Sequence, residues 1–337
     1  MYRWILLALI GLTMNNTHAS FIQKSIEVLN TIEESNFIHS YVAYIKDGDQ
    51  YEIVSNGPKE ISTKHLFQIG SLTKGYTGVV VSRLVDKGVL SLDTTLGAHI
   101  KNLNKEIGEI TLKELVTHTS GLPTDGDDLH KRSNPYKNYS KEKLISFINE
   151  VSLNKKGFIY SNIGTALVGL LIEEISGRKY SDLLDELFTE LQMNSSSLLS
   201  KDIIQGYTGW LNKAGPWDLG VAESSGAISS SLEDQIKFSN FLLSTKQTST
   251  FAPLFPIGDF AIGYFWGVSL SGDLITHAGQ TLGHSSFLAV DRKKDRAIVV
   301  LSNTGVDLNF LLNLIEDEEV KIPSNFFIKK LYKDILK

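Results

Sequence analysis

Apolar residues recur along this chain at two different periods, and each change of period marks a change of element. Ile22, Ile26, Leu29 and Ile32 fall at helical spacing, so a helix opens the segment that begins at residue 20. Two β-rich runs over 37–46 and 50–55 follow, around Asp47-Gly48-Asp49, and a glycine-containing connection of that kind signals a hairpin. Helical spacing returns over 71–87, with apolar residues at 72, 76, 79, 80 and 84 and a stop at Gly88. Thr111-Leu112-Lys113-Glu114 has capping-box spacing ahead of a short helix, which Thr119-Ser120-Gly121-Leu122-Pro123 must end.

Further helical patterns cover 140–150, 163–176 before Gly177, 180–191 and 232–243, so the middle of the chain is nearly all helix. Strand patterns reappear over 261–270, 274–277, 285–291 and 296–302, and the charged turn Arg292-Lys293-Lys294-Asp295 joins the last two. A terminal helix is predicted over 325–336. Strands at both ends around a helical middle predict an α+β chain with one antiparallel sheet assembled from its two ends. The expected organisation is a discontinuous sheet lobe, 20–70 with 250–337, and an inserted helical lobe, 71–249. No internal repeat, low-complexity tract or polar linker separates the two, which predicts coupled lobes.

The N-terminus changes the picture of where the protein works. Arg3 precedes an apolar run of 11 residues, Trp4 to Met14, and Thr17-His18-Ala19 offers small residues at a plausible cleavage site. A secretory signal over 1–19 is therefore expected, with the mature protein periplasmic or secreted. The run is shorter than the roughly 20 residues that span a bilayer, so stable membrane insertion is not expected after cleavage. The chain has no cysteine, which excludes disulfides, thiolate metal sites, a cysteine nucleophile and lipid attachment at cysteine. Of 337 residues 42% are hydrophobic, enough for a full core. With 33 basic against 38 acidic residues the net charge is -5, which gives no electrostatic footprint for nucleic acid. Chemistry on a small molecule or peptide is the remaining class.

Several signatures are missing: no G-x-S-x-G elbow, no dinucleotide-binding glycine loop, no phosphate loop and no H-E-x-x-H helix. The eight histidines are scattered, so neither a metal nor a cofactor is expected. What stands out is Ser71-Leu72-Thr73-Lys74 at the start of a strongly apolar helix, where a spacing of three puts hydroxyl and amine on one face. A desolvated lysine of lowered pKa can act as the base that a serine nucleophile needs, and first-turn N–H groups can stabilise the resulting oxyanion. The same S-x-x-K spacing occurs at Ser140, Ser152 and Ser176, but Lys143 and Lys179 lie on short, polar-flanked helices and Lys155 in a loop-like run. Taken alone, Ser71 could equally be an N-cap beside a surface lysine.

Two further groups fall into place around it. In Tyr160-Ser161-Asn162 a phenol and a carboxamide two residues apart share a direction if the segment is extended, at the junction with the helix near Ile163. A second Tyr-x-Asn, Tyr136-Lys137-Asn138, sits in a polar loop beside Pro135. His277-Ala278-Gly279 ends a strand and is the one His-x-Gly of the chain; its glycine would let a substrate backbone come close. A purely structural strand histidine is the alternative reading of His277.

In this order the three elements resemble the serine β-lactamase and penicillin-binding protein superfamily, in its branch of class C β-lactamases, D-alanyl-D-alanine carboxypeptidases and esterases. His118-Thr119-Ser120-Gly121-Leu122-Pro123 looks like that branch's loop after a short helix, and 157–164 like its second motif region. Segments 283–291 and 297–303 resemble its C-terminal strand pair, so the likeness runs from about residue 37 to 304. The resemblance implies a β-lactamase-like fold and a two-step acyl transfer without cofactor. Ser71 would be acylated, Lys74 and Tyr160 would share proton transfer, and Asn162 would hold the substrate amide. The backbone N–H groups of Ser71 and Gln280 would form the oxyanion hole. His277 would orient the substrate's carboxylate or polar tail, or assist Tyr160, with Gly279 beside it.

One departure bears on substrate. Class C β-lactamases have Lys-Thr-Gly where this chain has His277-Ala278-Gly279. A lysine is a standing cation for a carboxylate, whereas a histidine is one only below its pKa. Lys213-Ala214-Gly215 is the other lysine triplet, but Pro216 follows it and no strand pattern surrounds it. The histidine favours the peptidase and esterase members of the branch, which use His-x-Gly. Two functions are therefore expected to compete: an exported hydrolase of amides or esters (D-amino-acid peptide, β-lactam or ester), and a slowly deacylating or non-catalytic sensor of β-lactams or peptidoglycan on the same fold.

Overall fold

The computed structural model describes residues 20–34, 38–57, 61–126, 134–154, 157–198 and 200–316. The expected leader over 1–19, the terminal helix over 325–336 and Lys155 lie outside the described residues. The helices that organise the chain are α1 (Phe21–Glu34), α2 (Thr73–Asp86), α3 (Leu112–Val116), α4 (Lys141–Glu150), α5 (Asn162–Ser176), α6 (Tyr180–Glu190), α7 (Leu232–Ser244) and α8 (Leu312–Ile315). Local chemistry starts several of them. At α3 the Thr111 hydroxyl accepts from Glu114 N and the Glu114 carboxylate accepts from Thr111 N, the reciprocal box expected from the spacing. Ser140, Ser161 and Ser231 cap α4, α5 and α7 in the same manner with one side-chain bond each.

Eight strands form one antiparallel sheet: β1 (Tyr41–Asp47), β2 (Gln50–Asn56), β3 (Phe255–Ile257), β4 (Phe260–Ile262), β5 (Gly267–Ser269), β6 (Leu274–Gln280), β7 (Ser285–Asp291) and β8 (Arg296–Ser302). Their order is β2-β1-β8-β7-β6-β5-β4-β3. The two ends of the chain meet where β1 pairs with β8, from Tyr41 opposite Ser302 to Asp47 opposite Arg296, and Arg296 Nε closes that end on Asp47 Oδ1 at 2.9 Å. The α+β sheet built from N- and C-terminal segments is thus the one the patterning predicts.

Both faces of the central strands are covered, which explains why β7 is apolar or buried at every position instead of alternating with polar residues. Side chains on a strand alternate between faces. Tyr41, Ala43, Ile45, Phe287, Ala289, Ile298 and Val300 pack with Leu29 and Ile32 of α1 and with Leu314 and Ile315 of α8. Their neighbours Val42, Tyr44, Leu288, Val290, Val299 and Leu301 face the helical body, whose centre is α5, buried at every position from Ile163 to Ile172.

One predicted strand divides. The run 261–270 is a hairpin, β4 against β5, with Phe260 opposite Ser269 and Ile262 opposite Gly267. Tyr264, Phe265 and Trp266 make the turn yet are buried, and Phe265 takes a left-handed φ of 66° while its N–H donates to Val116 O at 2.9 Å. A turn with three buried aromatic residues has the hydropathy of a strand, so periodicity alone does not see it.

Candidate active site

Ser71 sits in a 3-10 turn, Gly70–Leu72, wedged between the first residues of α2 and the end of β6. The wedge depends on two glycines. Gly279 lies so close to the turn that a Cβ there would stand 1.9 Å from Ile69 O and 2.8 Å from Leu72 N. Gly70 has φ 52°, and a Cβ on it would come within 2.6 Å of Gln280 N. Gly279 lines the cavity, and the absence of a side chain there is also required by the protein's own chain. Ser286 Oγ donates to Ile69 O at 2.7 Å and fastens the same turn to β7.

Lys74, in the first turn of α2, is fully buried and lies within hydrogen-bond distance of three oxygens: Ser71 Oγ at 3.1 Å, Asn162 Oδ1 at 2.6 Å and Ser225 O at 2.8 Å. Burial penalises its charge and lowers its pKa from 10.5 to about 7, against a smaller upward pull from Asp125. A neutral amine has two N–H donors and one lone pair. With the donors spent on Asn162 and Ser225, the lone pair faces Ser71 Oγ, the arrangement needed to receive its proton.

Tyr160 brings its ring to 4.9 Å from Lys74 Nζ. Burial pushes the phenol pKa up, a side-chain hydrogen bond with Ser71 draws it down, and the charge of Asp125 raises it further. The phenol thus stays protonated at neutral pH. Asn162 is the first residue of α5, with Ser161 as its extended cap, so the two-residue repeat expected at Tyr160 and Asn162 is a loop-to-helix junction. Its carboxamide faces inward: while Oδ1 takes the Lys74 proton, Nδ2 donates to Asp125 Oδ1 at 2.9 Å.

Asp125 and Tyr136 escaped the sequence reading. The Tyr136 hydroxyl donates to Asp125 Oδ1, and Tyr136 is buried although its loop is polar, so this second Tyr-x-Asn reaches the site through the carboxylate. Asp125 follows Pro123 and precedes Gly126, which reads locally as a turn and hides its role. The loop 118–125 runs beside 159–162 and binds it repeatedly. His118 O accepts from Ile159 N at 2.8 Å, His118 Nδ1 from Ser161 N at 3.1 Å, Pro123 O from Ser161 Oγ at 2.6 Å and Thr124 O from Asn162 N at 2.8 Å. The His118 ring also packs against Tyr160, tilted by 39°, at 4.6 Å between centroids. Desolvation, with Lys74 and His277 nearby, holds its pKa well below the usual value.

Ser71, Tyr160, His277, Gly279 and Gln280 line one cavity of about 440 Å³, shared with His118, Phe158, Ile262, Phe265 and the loop 306–309. The cavity opens because β5 ends at Gly267 opposite Thr276, which leaves the edge of β6 from His277 to Gln280 beyond the end of β5. His277 Nδ1 lies 2.6 Å from Ala278 O; a carbonyl only accepts, so Nδ1 carries the proton and Nε2 is left as an acceptor. Burial and the neighbouring Lys74 lower its pKa to about 4, against the Ala278 bond, so His277 is neutral near pH 7. The Lys213-Ala214-Gly215 triplet does contain a short strand, Lys213–Ala214 paired with Gly206–Tyr207, contrary to expectation, but Lys213 is not among the residues lining the cavity.

Comparison with known proteins follows from this geometry. The family model described as Beta-lactamase matches residues 31–314. "Protein flp" of Staphylococcus aureus (strain MW2) is 25% identical over 84% of this chain and 61% of its own length. "Penicillin-binding protein 4*" of Bacillus subtilis (strain 168) is 23% identical over 75% of this chain and 64% of its own. The chain therefore spans somewhat over three fifths of the curated relatives it matches. Among solved structures, the β-lactamase/D-alanine carboxypeptidase from Pseudomonas syringae superposes with a TM-score of 0.74 at 18% identity, covering 88% of this chain and 98% of that one.

Proposed function

Because the chain belongs to the Beta-lactamase family, we propose that it is a serine hydrolase that forms an acyl-enzyme on Ser71 with an amide or ester substrate: a D-alanyl peptide, a β-lactam or a simple ester. The observation that carries this reading is the fully buried Lys74 amine 3.1 Å from Ser71 Oγ, with its pKa lowered to about 7. Lys74 takes the Ser71 proton as Oγ attacks the carbonyl carbon. The Ser71 and Gln280 N–H groups stabilise the oxyanion that forms, and Asn162 keeps the amine in register. Tyr160, held as a phenol by its burial, passes its proton to the departing nitrogen or oxygen as the tetrahedral intermediate collapses and regains one from Lys74, so that the Ser71 proton ends on the leaving group and both side chains return to their starting states. Water then enters by the reverse sequence and frees the acid. We place this activity outside the cytoplasm, on the strength of the charged and apolar pattern at the N-terminus.

The test uses a fluorescent penicillin and a short-chain p-nitrophenyl ester, with intact-mass spectrometry. An adduct that forms on the unaltered protein, is absent from Ser71→Ala and clears with time supports a hydrolase. A Ser71-dependent adduct that persists would replace it by the sensor reading. Neither adduct nor ester hydrolysis would overturn both.

A further inference from the structure

The strand wall of the cleft has a chemical bias that the catalytic groups do not use. Among the described residues lining the cavity, the one acidic side chain is Asp307, and none is lysine or arginine. Asp307 is exposed at the rim, in the loop that follows β8. Both hydrogen bonds it receives, from Asn309 N at 2.9 Å and Asn309 Nδ2 at 2.8 Å, end on Oδ1, so Oδ2 remains free to take a donor. His277 faces the same cavity with a second acceptor, since its Nδ1 proton is committed to Ala278 O and Nε2 keeps its lone pair. Phe158, Ile262, Phe265 and Leu308 supply an apolar lining around these two acceptors.

A free carboxylate entering this space finds a carboxylate and a lone pair instead of a cation. An ammonium, by contrast, finds a charge partner at Asp307 and an acceptor at His277. We propose that the cleft selects substrates with an apolar body ending in an ammonium or another hydrogen-bond donor and rejects those ending in a free carboxylate, with Asp307 and His277 as the specificity-determining pair. This deepens the acyl-transfer reading of the same cleft and rests on it, but its test does not require turnover.

Three p-nitroanilides of one chain length serve as probes: 6-aminohexanoyl, hexanoyl and the mono-anilide of adipic acid. Calorimetric titration into Ser71→Ala measures affinity where no nucleophile remains, while adduct formation on the unaltered protein judges the hydrolase reading separately. The ammonium probe is expected to bind about tenfold more tightly than the carboxylate probe, with the neutral one between them. Asp307→Asn on the same background should bring the ratio to within about threefold, Asp307→Glu should keep it, and salt at about 0.5 M should shrink it. Equal affinities, a preference for the carboxylate probe, a ratio that survives Asp307→Asn, or no binding by any probe would each overturn the assignment.

Discussion

The two walls of the cleft differ in how far their polar groups are bonded to one another, although His118 Nε2 on the helical wall is buried without a partner among the described residues. On the helical wall Lys74, Asn162, Asp125 and Tyr136 bond one another in an unbroken chain, closed behind by Ser225 and bracketed by the loop from His118 to Asp125. On the strand wall His277 and Asp307 line the cavity, and their hydrogen bonds engage Nδ1 and Oδ1, which leaves Nε2 and Oδ2 with acceptor capacity. A buried chain of hydrogen bonds restrains its members, so in the proposed reaction the groups that move protons are held in position before substrate arrives. An unsaturated wall discriminates among ligands through the bonds it still has to make. On the proposed readings, proton transfer and selectivity fall to different elements, α2 and α5 on one side, β6 and the loop after β8 on the other.

The sharpest way to break this division is Lys74→Met, which should lower acylation about a thousandfold or more while leaving probe binding at the strand wall largely in place. The same variant tests the neutral amine. In the folded protein the Lys74 pKa of about 7 lies below its ordinary 10.5, so between those values the folded state holds fewer protons than the unfolded one and stability rises with pH. Urea denaturation at several pH values should show that slope, at most about 1.4 kcal/mol per pH unit, in the unaltered protein and not in Lys74→Met. Parallel stability curves would mean that the amine stays charged.

A smaller effect is expected from His118→Phe, which keeps a ring against Tyr160 but removes the acceptor for Ser161 N–H. We expect kcat to fall roughly tenfold with KM little changed, the mark of a residue that positions Tyr160. A purely structural role would lower the melting temperature and leave kcat per folded molecule as it was. Asp125→Asn is milder: removing a charge that raises the Lys74 pKa should move the acid limb of the acylation profile to lower pH, with a rate loss of less than about tenfold. An acid limb that stays put, or rises, would separate Asp125 from the network. Thr111→Ala sets the lower bound, because its capping box lies outside both walls. It should cost about 1 kcal/mol in a denaturant titration and leave turnover unaltered.

Much of this molecule was legible before any tertiary contact. β7 and β8 begin and end where the pattern places them, α3 carries the capping box its spacing announces, and Ser71 and Lys74 meet as a spacing of three requires. Each of these is decided within a turn of helix or a few residues of strand, where chain geometry alone fixes which side chains are neighbours. Tertiary structure decided the rest. The Lys74 pKa depends on burial, and its amine is held by Asn162 and Ser225, which lie 88 and 151 residues away. The Asp125 carboxylate has the local signature of a turn former, the 261–270 run hides its turn under buried aromatic residues, and Gly279 is required by Ile69 crossing it from 210 residues earlier in the chain (279 − 69). Desolvation and close approach belong to the packed molecule, because a side chain loses its water only when distant segments close over it, and no window of sequence contains those segments together.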